Sequence, residues 1–361
     1  MLTLDGCRAR QRRLLATMER EQWDLFVTGD RFTTYYLTGS LAPPESPVFF
    51  ALHGGSSSAL ITPGNREGVC ADTVDALELY SAHRCVTTPW HDGAELLRQR
   101  LKPAARPAVE RAGTSTMFEG ADATAAILAL RKRKEPDEIA EIRAALRLCA
   151  AAYDAARAAI APGRTEIDVF NEMQAAVNRE AGTAVALRGD FACGERGIKE
   201  GGPPTRRAIQ AGDLYILDLF PAPALYFGDT CRTFAVTEPT AVQMRAWEAV
   251  REAIALAERM IRPGIAARDV HLAVKELLDS REVSERSFWH HTGHGIGHRG
   301  HEAPRLIAES EDIVDAGDVL TIEPGIYTAA LQGGIRLEDN YVVHETGVEN
   351  LFDYPMALAL G

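Results

Sequence analysis

His290-His291-Thr292-Gly293-His294-Gly295-Ile296-Gly297-His298-Arg299-Gly300-His301-Glu302 holds five of the protein's ten histidines. Imidazole titrates near neutral pH and is costly to bury unpartnered, so five rings within reach of one another point to a metal, a proton-handling pocket, or both. Two other readings compete. A solvated His-rich loop would have the same composition. Gly295-x-Gly297-x-x-Gly300 also spells a dinucleotide fingerprint, but that motif needs an apolar strand before it and a helix after it. Here His-rich sequence precedes it and Pro304 soon follows, so a phosphate cradle is rejected.

A metal requires carboxylates that can converge on the histidines, and both flanks supply them. Upstream, residues 212–220 (GDLYILDLF) read as a buried strand carrying an acid, and residues 227–236 (FGDTCRTFAV) as its return. Leu214, Ile216, Asp218 and Phe220 share one face, so Asp218 points where the apolar side chains point. Downstream, residues 319–327 (VLTIEPGIY) and 333–343 (GGIRLEDNYVV) repeat the arrangement as a second acid-bearing strand pair. Period two puts Arg336 and Glu338 on one face. Any one of these acids alone would be an ordinary surface charge at a sheet edge. One imidazole with four carboxylates is an oxygen-rich donor set suited to divalent manganese, cobalt or iron, with zinc also accommodated, and it suffices for two ions sharing bridging carboxylates.

The order Asp218, Asp229, His294, Glu323, Glu338, within LDLF, GDTCRTF, HTGHGIG, TIEPGIY and GGIRLED, resembles the pita-bread metallopeptidases of the creatinase/prolidase superfamily. Those include Xaa-Pro dipeptidase, Xaa-Pro aminopeptidase and methionine aminopeptidase. The resemblance implies an α/β (α+β) chain in which a small N-terminal α/β domain precedes a pseudo-duplicated pita-bread catalytic domain. It implies that Asp218 chelates one ion, that His294 and Glu323 hold the other, and that Asp229 and Glu338 bridge the two. It also implies Glu323 as acid/base, His290 and His301 as hydrogen-bonding pocket residues, and Arg336 as support for a bridging acid or for the substrate's carboxylate. His291 and His298 are expected to be supporting residues. A homodimer acting on short peptides is the expected assembly. More loosely, Thr34-Tyr35-Tyr36-Leu37-Thr38-Gly39 is similar to the N-terminal domain of prolidase and creatinase relatives.

At 361 residues two domains are expected, and 46% hydrophobic with 25% charged residues is ordinary for a globular chain. A net charge of -12 argues against nucleic acid or an anionic membrane surface as partner. The basic run Arg131-Lys132-Arg133-Lys134 reads as a solvated face before a helix. Cysteines at 7, 70, 85, 149, 193 and 231 form no CxxC pair, and the start lacks a signal peptide's apolar core, so a reducing cytoplasm is expected. No apolar run approaches the roughly 20 residues that span a bilayer.

Amphipathic spacing predicts a helix over 8–23, then strands at 24–28, 48–52 and 59–62 and helices near 92–101 and 120–131. Glu135-Pro136-Asp137-Glu138 marks a new helix start, placing the expected domains at 1–133 and 134–361. Helices are then expected from 139 to Pro162, over 165–178, 239–262 and 266–280. His53, His83 and His91 have no carboxylate company and are read as structural or surface residues.

One departure from the peptidase pattern stands out. Where the family usually places a histidine on the segment leading to the first Asp strand, this chain reads Glu200-Gly201-Gly202-Pro203-Pro204-Thr205, with Gly201 near that place. Three functions therefore remain open: hydrolysis of the Xaa-Pro amide bond in short peptides, hydrolysis of a non-peptide C–N bond as in ectoine hydrolase or creatinase, and non-catalytic binding on the same scaffold.

Overall fold

The structure, a computed structural model, describes residues 1–42, 46–55, 57–63, 71–80, 89–113, 117–199 and 201–360. His83, Cys70, Cys85 and Glu200 lie outside the described residues. The chain forms two compact units, Met1–Arg131 and Lys132–Gly361.

In the first unit the elements run α1 (Leu4–Glu21), β1 (Leu25–Gly29), α2 (Arg31–Thr38), β2 (Phe49–His53), β3 (Ser58–Pro63), β4 (Ala76–Tyr80), α3 (Pro89–Arg100), β5 (Pro107–Gly113), β6 (Ala121–Asp122) and α4 (Thr124–Lys132). They build a mixed sheet in the order β4-β3-β2-β1-β5-β6. Helix α1 turns Leu14 and Met18 inward against Phe26, Tyr36 and Phe50, as its spacing predicts. The TYYLTG stretch is α2, which Asp30 caps by accepting from the Phe32 and Thr33 amides and which Gly39 ends in the left-handed conformation.

The second unit opens with α5 (Pro136–Ala159), α6 (Glu166–Ala181), β7 (Gly189–Cys193), β8 (Leu214–Leu219) and β9 (Thr230–Ala235). It continues with α7 (Ala241–Met260), α8 (Ala267–Asp279), β10 (Gly293–Gly295), β11 (Glu302–Leu306), β12 (Val319–Ile322), β13 (Gly325–Thr328), β14 (Gly333–Arg336), β15 (Asp339–His344) and β16 (Gly347–Asn350). A helix pair followed by an antiparallel sheet thus occurs twice, which is the pita-bread arrangement. Helix α5 starts where the sequence marks it: Pro136 takes the first turn and the Glu138 carboxylate accepts from the Glu135 amide at 2.9 Å. Threonines 165 and 240 open α6 and α7 with the same reciprocal device.

The second acid-bearing strand pair differs from its sequence reading. Residues 319–327 do not form one strand; they break at Glu323-Pro324 into β12 and β13. Residues 333–343 break at Leu337-Glu338 into β14 and β15. The four pieces are exchanged between two sheets, β12 pairing with β15 and β13 with β14. Period two sees continuous alternation here because both breaks preserve it; proline, which has no amide to donate to a ladder, marks only the first. The buried cluster of Ala253, Ile254, Val270, Leu320, Ile322 and Ile335 packs α7 and α8 against this junction.

Candidate metal centre

Four of the five expected metal-binding residues sit where strands pair or break. Asp218 lies inside β8, where Asp190 of β7 is its cross-strand partner and Cys231 of β9 its other neighbour. Like charges placed opposite each other destabilise a sheet, and one cation resolves the conflict. Arg336 Nη2 donates to Asp218 Oδ2 at 2.5 Å and to Asp190 Oδ2 at 3.4 Å, while Nη1 reaches Tyr327 Oη at 3.4 Å. Asp229 lies just before β9, its amide donating to Asn340 Oδ1 at 3.1 Å and its carbonyl accepting from the same side chain at 2.5 Å. Glu338 occupies the β14/β15 break. Its amide and carbonyl exchange hydrogen bonds with Cys231 at 3.0 and 3.2 Å, and Arg232 Nη1 donates to its carbonyl at 2.8 Å.

Glu323, at the β12/β13 break, accepts from Thr321 Oγ1 at 2.9 Å. The same hydroxyl oxygen accepts the His294 amide at 3.1 Å, so Thr321 ties the two together. His294 Nδ1 is 3.1 Å from the Gly295 carbonyl, which can only accept, so Nδ1 carries the proton and Nε2 presents a lone pair. That lone pair lies 3.1 Å from Glu323 Oε1 and 3.8 Å from Asp229 Oδ2. An imidazole lone pair facing carboxylate oxygens is repulsive unless a cation lies between them.

The carboxylates carry the same signature. Asp218 Oδ1 and both oxygens of Glu338 are buried with no hydrogen-bond partner among the described residues. Burial pushes Asp218 up to about 6, with Arg336 pulling down and Asp190 and Glu323 adding to the rise. Burial, then the neighbouring acids, holds Asp229 and Glu338 well above the ordinary carboxylate range. Only Glu323 moves the other way: against its burial, the charge of His291 holds it well below the ordinary carboxylate range. An unpaired buried carboxylate costs several kcal/mol, on the order of 3–5, and the unpartnered oxygens of Glu338 and Asp218 suit a divalent cation. Ligand atoms of Asp229, His294 and Glu338 lie within 4.8 Å of one another, as do those of His290, His291 and Glu323. The donor set therefore fits divalent metal.

Around it opens a cavity of about 620 Å³, with Asp218, Asp229, His294, Glu323 and Arg336 in its wall. His290 also lines it, yet both of its ring nitrogens are engaged, Nδ1 with the His291 carbonyl at 2.8 Å and Nε2 with Tyr327 Oη at 2.7 Å. Burial pushes its pKa down to about 3, so the ring is neutral and Nε2 accepts from the tyrosine. His301 faces the cavity with its ring 4.0 Å from that of His294, and neither nitrogen is hydrogen-bonded among the described residues. Burial and then the neighbouring histidines lower it to about 4.

His291, read in the sequence as support only, has Nδ1 3.3 Å from Glu323 Oε1 and lines the same cavity. Burial opposes its charging, but Glu323 prevails and raises its pKa. His298 turns away, with Nδ1 against the Leu225 carbonyl at 2.9 Å and its ring 4.0 Å from that of Tyr226. Sequence reasoning missed Asp190, Tyr327 and Trp289. For Asp190 a signal existed, an acid in the short apolar run GDFAC that mirrors LDLF; Tyr327 and Trp289 look like core aromatics in the sequence, whereas Trp289 lines the cavity and Tyr327 lies against its ring and bonds His290.

The place of the missing histidine is closed. Gly201 has φ +69°, and a Cβ there would lie 2.7 Å from the Cγ and Oδ2 of Asp190.

Comparison with known proteins agrees with this geometry. Residues 140–345 match the metallopeptidase family M24, and residues 10–149 match the creatinase/prolidase N-terminal domain. The chain is 32% identical over 222 residues to the Xaa-Pro dipeptidase of Pyrococcus furiosus, covering 62% of this chain and 63% of that one. It is 30% identical over 231 residues to the uncharacterized peptidase YqhT of Bacillus subtilis, covering 64% and 65%. The matched part thus spans less than two thirds of each relative. In fold it resembles the prolidase from Pyrococcus horikoshii, with TM-score 0.82, 23% identity and coverage of 97% and 99%. The X-Pro aminopeptidase from Thermotoga maritima gives TM-score 0.81, 22% identity and coverage of 96% and 98%. With more than half of its length matched by the family and the donor set of a metal centre assembled within that part, the chain belongs to metallopeptidase family M24.

Proposed function

We propose that residues 134–361 carry a dinuclear metal centre that hydrolyses the Xaa-Pro amide bond of short peptides, with residues 1–133 as an accessory domain. The observation that supports this most is the set of buried carboxylate oxygens left unpartnered on Asp218 and Glu338 beside the Nε2 lone pair of His294. In this reading Asp218 would hold one ion, His294 and Glu323 the other, and Asp229 and Glu338 would serve both. Manganese or cobalt suits the oxygen-rich set best, and zinc or iron can occupy it. When bound, such ions activate water near neutral pH and polarise a carbonyl.

The chain's own groups do the rest. Glu323, ionised and in the cavity wall beside His294, is the carboxylate placed to accept a proton from the attacking water and pass it to the leaving nitrogen. His301 has free ring nitrogens facing the cavity and serves as hydrogen-bond donor to the tetrahedral state. Arg336 holds Asp218 and Asp190 in place, and His290 holds Tyr327. We infer further that the protein works in the cytoplasm as a homodimer. No described helix is long and apolar enough to cross a membrane.

A panel of Xaa-Pro di- and tripeptides, run beside cyclic and guanidino amides with manganese or cobalt added, tests the reading. Cleavage confined to Xaa-Pro bonds is the expected result. Two ions bound per chain with turnover only of the non-peptide amides would assign the protein to a different C–N hydrolase, for which the closed space at Gly201 is the structural motive.

A further inference from the structure

Trp289 is 63% exposed, although an indole left in water is the group that most rewards being covered. It stands in the wall of the 620 Å³ cavity and also in that of a smaller one of about 30 Å³, and Arg336 shares both walls. The two side chains belong to one end of the site. The Trp289 ring is 6.0 Å from that of Tyr327, Tyr327 Oη is 3.4 Å from Arg336 Nη1, and Arg336 Nη2 is 3.4 Å from Asp190 Oδ2. Asp190 also lines the cavity, and its oxygens are only partly engaged, Oδ1 by the Gly202 amide at 2.9 Å and Oδ2 by Arg336 at that longer distance. The Asp190 side chain is 32% exposed.

A carboxylate and an uncovered indole at one end of a cavity match one chemical entity. The first residue of a peptide carries an ammonium and a side chain on the same Cα. We infer that Asp190 and Trp289 form the subsite for the peptide's N-terminal residue, Asp190 receiving the ammonium and Trp289 stacking on an apolar, above all aromatic, side chain. The inference rests on the proposed peptidase reading and adds to it the preferred residue before proline. Trp289 is then a specificity-determining residue.

Two measurements test it. In the first, Phe-Pro, Leu-Pro and Gly-Pro are compared as substrates of the wild type, Trp289→Ala and Trp289→Phe. Trp289→Ala should raise KM for Phe-Pro about tenfold, the scale of one lost aromatic contact with its buried area, and raise KM for Gly-Pro far less, so that the preference for Phe-Pro over Gly-Pro is lost. Trp289→Phe should restore most of the preference. Equal changes for Phe-Pro and Gly-Pro, or none, would overturn the assignment. The second is a fluorescence titration with L-phenylalaninol and L-alaninol, which carry the ammonium and side chain but no cleavable bond. Phenylalaninol should bind more tightly and quench an emission that Trp289→Phe lacks, while Asp190→Asn should weaken both ligands. Equal binding of the two alcohols by the wild type would sink the subsite even if Xaa-Pro peptides are cleaved. Absence of Xaa-Pro turnover, with the alcohols discriminated as expected, would instead remove the peptidase reading and leave the subsite standing.

Discussion

A carboxylate that serves two ions differs from one that serves a single ion in what its removal does. Asp229→Ala or Glu338→Ala is expected to abolish both bound metals, and metal counting per chain checks it. Two ions retained in either variant at saturating manganese would show that neither acid bridges. Glu338 is the sharper test, because its main chain is held by Cys231 and Arg232 while its carboxylate has no protein partner among the described residues, so the truncation takes away little but ligand. His301 presents the opposite case. Its ring faces the cavity with neither nitrogen engaged among the described residues, so His301→Ala should lower kcat by on the order of 10²-fold while metal content stays constant, as for a donor acting on the transition state. A rise in KM alone would place it in ground-state binding. At this scale the sequence was informative: acids in apolar strands and a histidine in a glycine-rich turn are chemically conspicuous. Asp190 was passed over because it lies in a run too short to show its period, and Tyr327 because a tyrosine in a strand reads as core.

Among the elements, positions of single residues survived better than the strands that carry them. The helices α5 to α8 begin and end close to where caps, prolines and glycines put them, because those signals are local. The exchange of β12, β13, β14 and β15 between two sheets was illegible, since pairing is decided by partners far along the chain and a break that preserves alternation leaves no mark. That exchange matters for function: Glu323 and Glu338 project from the two crossing points, where the backbone is not committed to a ladder. Thr321, at the end of β12, is the brace of the first crossing, with one hydroxyl serving the Glu323 carboxylate and the His294 amide. Thr321→Val keeps shape and removes both hydrogen bonds. Metal affinity should fall about 10- to 100-fold with little change in thermal stability of the metal-free protein, measured by titration and melting respectively. An unchanged affinity would mean that strand pairing alone aims the two ligands.

For the molecule as a whole, the buried acids couple stability to pH and, in the proposed reading, to metal. Groups whose folded pKa is raised stabilise the fold while protonated. For Asp218, lifted from 3.8 to about 6, that contribution is complete below the unfolded value and is lost as pH rises through 6. At about 1.4 kcal/mol per unit the loss is roughly 3 kcal/mol, and Asp229 and Glu338 add to it in the same direction. Glu323 opposes it, stabilising above the ordinary carboxylate range and losing that only in strong acid. His290 and His301, held below the ordinary histidine value, act the other way up to about pH 6.5. The metal-free protein should therefore melt at lower temperature as pH rises from 7 to 9, through Asp229 and Glu338, and saturating manganese should raise Tm by an amount that grows over the same interval. A metal-induced shift that stays flat or shrinks with pH would contradict the carboxylate assignment. One buried guanidinium extends this coupling to the far end of the chain. Arg232 Nη1 holds the Glu338 carbonyl, Nη2 pairs with Asp339 at 2.7 Å and also takes the Tyr354 carbonyl at 2.8 Å, and Nε takes that of Pro355 at 3.0 Å. Beyond them the Leu358 carbonyl accepts the Ala235 amide at 2.8 Å. Residues 354–358 thus act as a latch whose bolt passes beside Glu338, and in the proposed reading of that acid as a metal ligand a protease that pried Tyr354 and Pro355 loose would be felt first as a slack grip on metal.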